Sequence, residues 1–434
     1  MKKLLLAGTA IAGVALMASP AKADLKLDLG GYFRGYMVYT DNDETTAASS
    51  YDQLRSFQFK KDAEVHFTGE TTTDMGLTVG VHAEMKLLGN SPSNYGMAGN
   101  TNPGPGTGSS WSYQDNRGNA NLIDESYIYF SGGWGRVNFG QEDGAAYLLQ
   151  VAAPSADSNV DGLRPTIQGF TSDVWNNSTA DSDWADPWGG WWTSGGAVNT
   201  NTVLGNDNAN FRQTDRITYL TPKWNGFQAG VSYAPQMGIS FVGDNTAGMT
   251  FNDRPGPYYE NLWEASARWD GEFQGFGISA GGGYSTASTE KNDTTTTNFG
   301  SDDLTTWDAG LNLTWQGWSL GGAYLHTDTG TAAANSDYRA WDVGLGWDNG
   351  PWHLGASWWN GQWEANAYGG AFNIDTGLGG SNKLEIDRYT VGGGYTYGPG
   401  MSFRGAVAWM NVNGDQSADD TNPVQVTLGT DVNF

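Results

Sequence analysis

The stretch LTVGVHAEMKL, residues 77–87, decides the fold. Every odd-numbered residue in it is apolar, whereas the even-numbered residues are Thr, Gly, His, Glu and Lys. Successive side chains of a β-strand point to opposite faces, so this period of two predicts a strand with one apolar and one polar face. The last stretch, VQVTLGTDVNF over residues 424–434, alternates in the same way. Similar runs recur along the chain, and together they predict an all-β protein of 16 strands.

The connections between these strands distinguish a membrane barrel from a soluble sandwich, whose strands also alternate. Turns of a few residues, such as Gln316–Gly317, alternate with much longer segments, and large aromatic residues such as Trp315 and Trp318 flank the turns. Both features are typical of outer-membrane barrels, in which aromatic rings lie at the level of the lipid headgroups. An even strand number, with Phe434 inside the last strand, lets that strand pair with the first and close the sheet. We therefore predict a transmembrane antiparallel 16-stranded β-barrel with short periplasmic turns and long external loops.

The second face of the predicted strands carries many charged side chains, among them Arg34, Lys60, Glu84 and Arg136. Burying so many charges in a protein core would be prohibitive unless each were paired. Facing water inside a barrel, the same charges cost little. A barrel of this strand number is too wide for side chains to fill. The sequence therefore predicts a water-filled channel.

The composition excludes several other classes of protein. The 434 residues include 47 Asp and Glu against 22 Lys and Arg, a formal charge of −25, and no Cys. Binding to nucleic acid needs clustered basic side chains, so we expect no nucleic-acid partner. No apolar run is long enough for a membrane-spanning helix, which excludes a helical bundle. With no disulfides available, the fold must be stable without covalent cross-links.

The first 23 residues have the features of a secretory signal. Met1 and two lysines precede the mostly apolar stretch Leu4–Met17, and the small-residue stretch Ala21–Ala23 follows. We expect cleavage after Ala23, which leaves residues 24–434 as a single barrel domain. The alternative, an uncleaved anchor, is disfavoured because the apolar stretch is short. Cleavage removes three lysines and no acidic residue, which changes the formal charge from −25 to −28.

Several motifs resemble those of the general diffusion porins of Gram-negative outer membranes, and the alphaproteobacterial branch is the most similar. They are LRSF at 54–57, FTGE at 67–70, GLTVG at 76–80, DESYIYFSGGWGRVNFGQ at 124–141 and VNF at 432–434. The resemblance implies a homotrimer of 16-stranded barrels in the cell outer membrane, surrounded by lipid and lipopolysaccharide. It also implies passive diffusion of small hydrophilic solutes, and a third long loop that folds into the lumen to form the pore constriction.

The third long connection, residues 143–214, is far longer than an ordinary loop and is rich in Asp. We call it the third loop. In the resembling family, acidic groups on this loop face basic groups on the barrel wall. The resemblance places the basic wall at inward positions of the strands and the acidic groups near the start of the loop. The residues are Arg34, Lys60 and Arg136 on the wall, and Asp143, Asp157 and Asp161 on the loop. The Pro-Glu-Phe-Gly signature of enterobacterial members is absent from this chain, so ordinary solvated charges remain an alternative.

Selectivity is predicted from charge and from aromatic residues. A lumen with a net negative charge enriches counterions, which predicts a weak preference for cations. A second hypothesis is a sugar-selective porin, because tryptophan rings beside carboxylates can stack on sugars; the residues concerned are Trp184, Trp188, Trp191 and Trp192. These side chains could instead anchor the third loop to the barrel rim. A third hypothesis is a surface adhesin or structural barrel that conducts nothing.

No cofactor and no metal ligand set is assigned. If the second and third strands pair about residue 74, His66 lies opposite His82 and Glu64 opposite Glu84, but a slip by one residue would separate them. The acidic runs Asp41–Glu44, Asp302–Asp303 and Asp419–Asp420 leave loop-bound Ca²⁺ as a weaker hypothesis.

No enzyme is predicted either. The four histidines show no HExxH spacing, no Gly-x-Ser-x-Gly motif occurs, and there is no Cys nucleophile.

Overall fold

In a computed structural model of the chain, 16 antiparallel strands form one closed barrel. Each strand pairs with its neighbours along the chain, and the first pairs with the last. The strands are β1 (Lys26–Asp41), β2 (Phe57–Thr72), β3 (Thr78–Lys86), β4 (Ile123–Gly132), β5 (Gly135–Glu142), β6 (Thr214–Leu220), β7 (Phe227–Gln236), β8 (Tyr259–Phe273), β9 (Phe276–Thr289), β10 (Leu304–Trp315), β11 (Trp318–Asp328), β12 (Asp337–Asn349), β13 (Trp352–Glu364), β14 (Lys383–Gly398), β15 (Met401–Gly414) and β16 (Val424–Asn433). The predicted fold class is confirmed.

The structure describes most of the strands and turns, and part of the third loop. The described residues are 25–41, 56–87, 123–167, 169–170, 208, 214–236, 259–289, 302–328, 330, 337–364, 383–414 and 422–434. The predicted signal, residues 1–23, lies outside them. Among the described residues, no helix combines the length and apolarity needed to cross a membrane.

The first and last strands close the barrel, and Phe434 extends their pairing. β1 and β16 pair from Tyr32 opposite Asn433 to Asp41 opposite Val424. Beyond this ladder, Gly31 N donates to Phe434 O at 3.0 Å, and Phe434 N donates to Gly31 O at 3.1 Å. The two strands that would otherwise expose unpaired edges to lipid therefore satisfy each other.

The outer face carries two sets of aromatic side chains. Beside the periplasmic turns, Trp224 is 72% exposed, and the rings of Phe276 and Trp315 stack with centroids 5.8 Å apart. Six residues from the turn end of β13, Trp358 lies over Tyr389 of β14 with ring centroids 5.8 Å apart. Exposed aromatic rings in these two zones match the two membrane surfaces, where one part of each ring is in lipid and another in water.

The inner face is polar over much of the wall but holds a buried apolar cluster on one side. This cluster lies on β11–β15 and includes Phe170 of the third loop. Its other members are Leu325, Tyr338, Ala340, Trp359, Ile386, Ala408, Met410 and Val412. Two single-turn helices, α1 (Ala145–Leu148) and α2 (Ser158–Asp161), belong to the same loop. The loop therefore packs inside the barrel.

Candidate pore constriction

The described part of the third loop follows the inner wall from β7 round to β16. Ala145 N donates to Ser232 Oγ on β7 at 2.8 Å, which places the start of α1 against the wall. Further along, Ala152 O accepts from Asn312 Nδ2 on β10 at 3.2 Å. Finally, Gly169 N donates to Gln425 Oε1 on β16. The loop also contacts β1 through Asp157 and Tyr36, and β6 through α1. In the closed barrel this leaves β2–β5 as the wall that faces the loop across the lumen.

Glycines at inward positions of β10 and β12 make room for this path. A Cβ on Gly310 of β10 would meet the Val151 carbonyl oxygen. A Cβ on Gly344 of β12 would meet the carbonyl oxygen of Pro154 in the same way. Glycine at these positions lets the loop backbone approach the sheet backbone, which any larger residue would prevent.

Asp157 anchors α2 to β1 and β15. Its Oδ2 accepts from Tyr36 Oη at 2.8 Å, and its Oδ1 lies 3.2 Å from Arg404 Nη1. The same carboxylate caps α2 by accepting from Asn159 N at 3.1 Å. The side chain is completely buried in its ion pair with Arg404. Asp157 therefore ties the loop to the wall, in a position where the wall supplies the positive charge.

Asp161 holds the other end of α2. Its carboxylate accepts from the backbone N–H groups of Ala156 and Asp157, both at 2.8 Å, and from Ser357 Oγ on β13. Burial raises the pKa of Asp161, while these hydrogen bonds oppose the rise. Asp157 and Asp161 both lie between loop and wall. Their predicted action on passing solutes stays a prediction.

Asp143 begins the loop and is held within it. Its carboxylate pairs with Arg164, with Nη1 at 3.0 Å from Oδ2, and the Arg164 guanidinium lies 3.8 Å from the centroid of the Tyr147 ring. The backbone N–H of Asp143 donates to Glu125 Oε1 on β4 at 3.3 Å. Asp143 therefore connects the loop to the wall that it faces.

Only two of the three predicted basic wall residues lie on neighbouring strands. Arg34 on β1 and Lys60 on β2 lie on neighbouring strands, since Arg34 pairs with Asp62 and Tyr36 with Lys60 in the ladder. Arg34 Nη1 lies 3.2 Å from Asp62 Oδ2, so its charge is neutralised locally. The third member, Arg136, lies three strands away on β5.

Arg136 is held by its neighbours on the inner face of β4 and β5. Its Nε donates to Asn138 Oδ1 at 2.6 Å, and its guanidinium lies 3.9 Å from the centroid of the Tyr129 ring. This contact is a cation–π interaction, which fixes the position of the positive charge without neutralising it.

Arg404, Tyr36 and Ser357 also anchor the loop, a role that the sequence does not predict for them. Arg404 Nη2 also lies 3.2 Å from Asp431 Oδ2, so this guanidinium bridges a loop carboxylate and a wall carboxylate. The only signal available in the sequence was that Arg404 falls on the polar face of its strand.

A cluster of five side chains lines the lumen on β2–β4, and we call it the histidine–glutamate cluster. Its members are Glu64, His66, His82, Glu84 and Glu125. The predicted pairing was wrong, because the hairpin places Glu84 opposite His66 and Lys86 opposite Glu64, a shift of two residues. A shift of two keeps every side chain on its face, since the strand period is two. The groups therefore still converge: His82 Nε2 lies 3.1 Å from Glu84 Oε1, and His66 Nδ1 lies 3.7 Å from it.

Other predicted site residues lie outside the described residues. These are Trp184, Trp188, Trp191 and Trp192, and the acidic residues of 42–44 and 419–420. The sugar-contact hypothesis therefore stays a prediction. Loop-bound Ca²⁺ also stays a prediction, since only Asp41, Asp302 and Asp303 of its acidic runs are described.

This chain is similar to known proteins in sequence and in fold. The sequence model that describes the Gram-negative porin family matches residues 7–416 of this chain. The solved anion-selective porin from Comamonas acidovorans is 15% identical, with 95% of this chain and 100% of that chain covered and a TM-score of 0.53. OmpF from Salmonella typhi, in complex with daunomycin, is 16% identical, with 94% and 98% covered and a TM-score of 0.55.

A third solved structure is the trimer form of in-vitro folded OmpT from Vibrio cholerae. It is 11% identical, with 94% of this chain and 99% of that chain covered and a TM-score of 0.50. At these identities the three structures support the fold alone. Comparison with curated protein sequences finds no match.

Proposed function

Since this chain belongs to the Gram-negative porin family, we propose that it forms a water-filled outer-membrane channel for passive diffusion of small hydrophilic solutes and ions. One observation carries the proposal: the third loop follows the inner wall from β7 to β16 and leaves the charged wall of β2–β5 facing it. A loop held against the wall narrows a wide barrel without filling it. The export signal, with cleavage after Ala23, is part of the same proposal, and N-terminal sequencing of the mature protein tests it.

We propose that the channel prefers cations. Acidic residues outnumber basic ones, 47 to 22, over the whole chain. Inside the barrel, Arg34 lies beside Asp62, and Arg404 lies between Asp157 and Asp431. These pairs neutralise much of the positive charge near the loop, so the remaining carboxylates set the sign of the potential.

The reversal potential across a planar bilayer under a KCl gradient tests this preference. We expect the sign that corresponds to K⁺ passing more readily than Cl⁻, with a smaller preference at high salt because salt screens the field. A value of the opposite sign would refute the cation preference and leave the channel function intact. Purified protein that inserts but conducts no current would refute the channel itself, and would favour an adhesin or structural barrel.

We propose that the protein is a homotrimer. Trp residues occur on the outer faces of later strands, such as Trp263, Trp307 and Trp358, whereas β1–β4 contain no Trp. Trp is enriched where a barrel meets the membrane surface, so a face without it is the better candidate for contact with other subunits. On this arrangement, lipid and lipopolysaccharide cover the remaining outer face. Closure of single channels in three equal steps is the expected result, and single-step closure would contradict the trimer.

A further inference from the structure

We propose that the histidine–glutamate cluster binds a divalent transition-metal ion, with His82, Glu84 and Glu125 as its ligands. Each of these three residues offers a ligand atom, and the three atoms lie within 4.8 Å of one another. Two ligands of one ion lie about 3–3.5 Å apart when metal–ligand bonds are about 2.0–2.2 Å long. The 3.1 Å from His82 Nε2 to Glu84 Oε1 already matches this spacing. An ion could reach the site from the lumen, since the two side chains are 17% and 20% exposed.

The histidine is oriented as a ligand. Its Nδ1 lies 2.8 Å from Thr68 Oγ1 on β2, and this contact leaves Nε2 directed at the Glu84 carboxylate. Metal-binding histidines use their second ring nitrogen in this way, in a hydrogen bond that fixes the ring and its tautomer. The His82 ring is also held from the side by Tyr127, with ring centroids 5.3 Å apart.

The two carboxylates favour a cation between them. Glu84 and Glu125 are directly opposite each other in the β3–β4 ladder, next to a register irregularity after Glu84. Like charges at opposite positions destabilise a sheet, so a divalent ion between them would stabilise it. An imidazole with two carboxylates suits Zn²⁺ and similar first-row ions, whereas Mg²⁺ and Ca²⁺ prefer oxygen ligands alone.

A second group of donors flanks the first and shares Glu84. Glu64, His66 and Glu84 also have ligand atoms within 4.8 Å of one another. In this group, however, Lys86 Nζ lies 2.9 Å from Glu64 Oε1 and competes with an ion for that carboxylate. We therefore assign the ion to the side of His82 and Glu125.

Binding of Zn²⁺ to the purified full-length porin, treated with EDTA and then dialysed, tests the site. Isothermal titration with ZnCl₂ should give saturable binding of one ion per chain. His82→Gln and Glu84→Gln should each raise the dissociation constant at least about tenfold, and Thr68→Val by about tenfold through loss of the supporting hydrogen bond. His326→Gln is the matched control, because His326 lies on the outer face beside Trp307 and should bind Zn²⁺ normally.

Folding of each variant is checked by its heat-dependent mobility in detergent gels. Unsaturable binding to the wild type, or equal affinity of a folded His82→Gln variant, would overturn the proposal. Conductance measured in EDTA separates this inference from the channel function. A conducting channel that binds no Zn²⁺ refutes only the metal site, and a Zn²⁺-binding barrel without conductance refutes only the channel.

Discussion

Replacing Asp157 with Ala should release α2 from the barrel wall while leaving the barrel itself closed. The Asp157 carboxylate contacts Tyr36 Oη at 2.8 Å, Arg404 Nη1 at 3.2 Å and Asn159 N at 3.1 Å. All three contacts join the loop to itself or to the wall. The ladders between neighbouring strands do not involve this side chain, so we expect only the loop to open.

The free-energy cost of Asp157→Ala depends on the contacts that Arg404 and Tyr36 keep after the substitution. Removing one partner of a buried ion pair costs about 3–5 kcal/mol. The lower end applies here, because Arg404 keeps Asp431 at 3.2 Å and Tyr36 Oη still accepts from Asn159 Nδ2 at 2.9 Å. A loss of about 3 kcal/mol corresponds to an increase of about 100-fold in the population of the open loop.

The chain has no native Cys, so a single introduced thiol can report on this opening. Val160 lies on α2 and is fully buried against Tyr36, Val38 and Ile167. A Val160→Cys thiol should react with a maleimide only when the loop leaves the wall, at a rate proportional to the open population. We expect labelling about 100-fold faster when Asp157→Ala is added, and an unchanged rate with Asp74→Ala in an exposed periplasmic turn. A rate within about threefold of the parent for Asp157→Ala would refute the assignment of Asp157 as an anchor.

One substitution tests the loop path, and one deletion tests the barrel closure. Gly344→Ala should lower single-channel conductance, because its Cβ would push Pro154 from the wall into the lumen. Gly405→Ala is the control and should leave conductance unchanged, because Gly405 lies on the outer face and its added Cβ would be 3.3 Å from Thr427 O. Equal conductance of the two variants would contradict the loop path. Deleting Phe434 should lower the thermal unfolding midpoint of the purified barrel, because two backbone hydrogen bonds with Gly31 are lost at about 0.5–1.5 kcal/mol each; an unchanged midpoint would show that closure does not depend on the terminus.

Alternation predicts the strands well where one face touches lipid. The run at residues 77–87 becomes β3, Thr78–Lys86, and the run at 424–434 becomes β16, Val424–Asn433. Where strands extend beyond the apolar zone, the prediction is too short. The alternating run Ser126–Phe130 predicts a strand of those residues alone, whereas β4 covers Ile123–Gly132. Beyond the lipid both faces of a strand meet water or protein, so no alternation marks its ends.

Register is less predictable than strand position. Alternation tells which face a residue lies on, but a hairpin shifted by two residues has the same faces. In the β2–β3 hairpin the turn decides between such registers, with Thr73 N donating to Leu77 O at 2.8 Å. Alternation therefore predicts the correct face for the cluster histidines, whereas the predicted pairing gives each of them the wrong partner.

No sequence periodicity predicts the position of the third loop, because individual hydrogen bonds and ion pairs hold it to the wall. Glycines of the strands beneath the loop nevertheless indicate its path. Gly310 and Gly344 occupy inward positions on β10 and β12, where a polar side chain would otherwise face water, and each lies against a loop carbonyl. An inward glycine adds no polar side chain to a water-filled lumen. Its presence there is explained when another part of the chain occupies the space beside it. Glycine on the polar face of several barrel strands is therefore evidence for an internal loop, and the amino-acid sequence alone carries this signal.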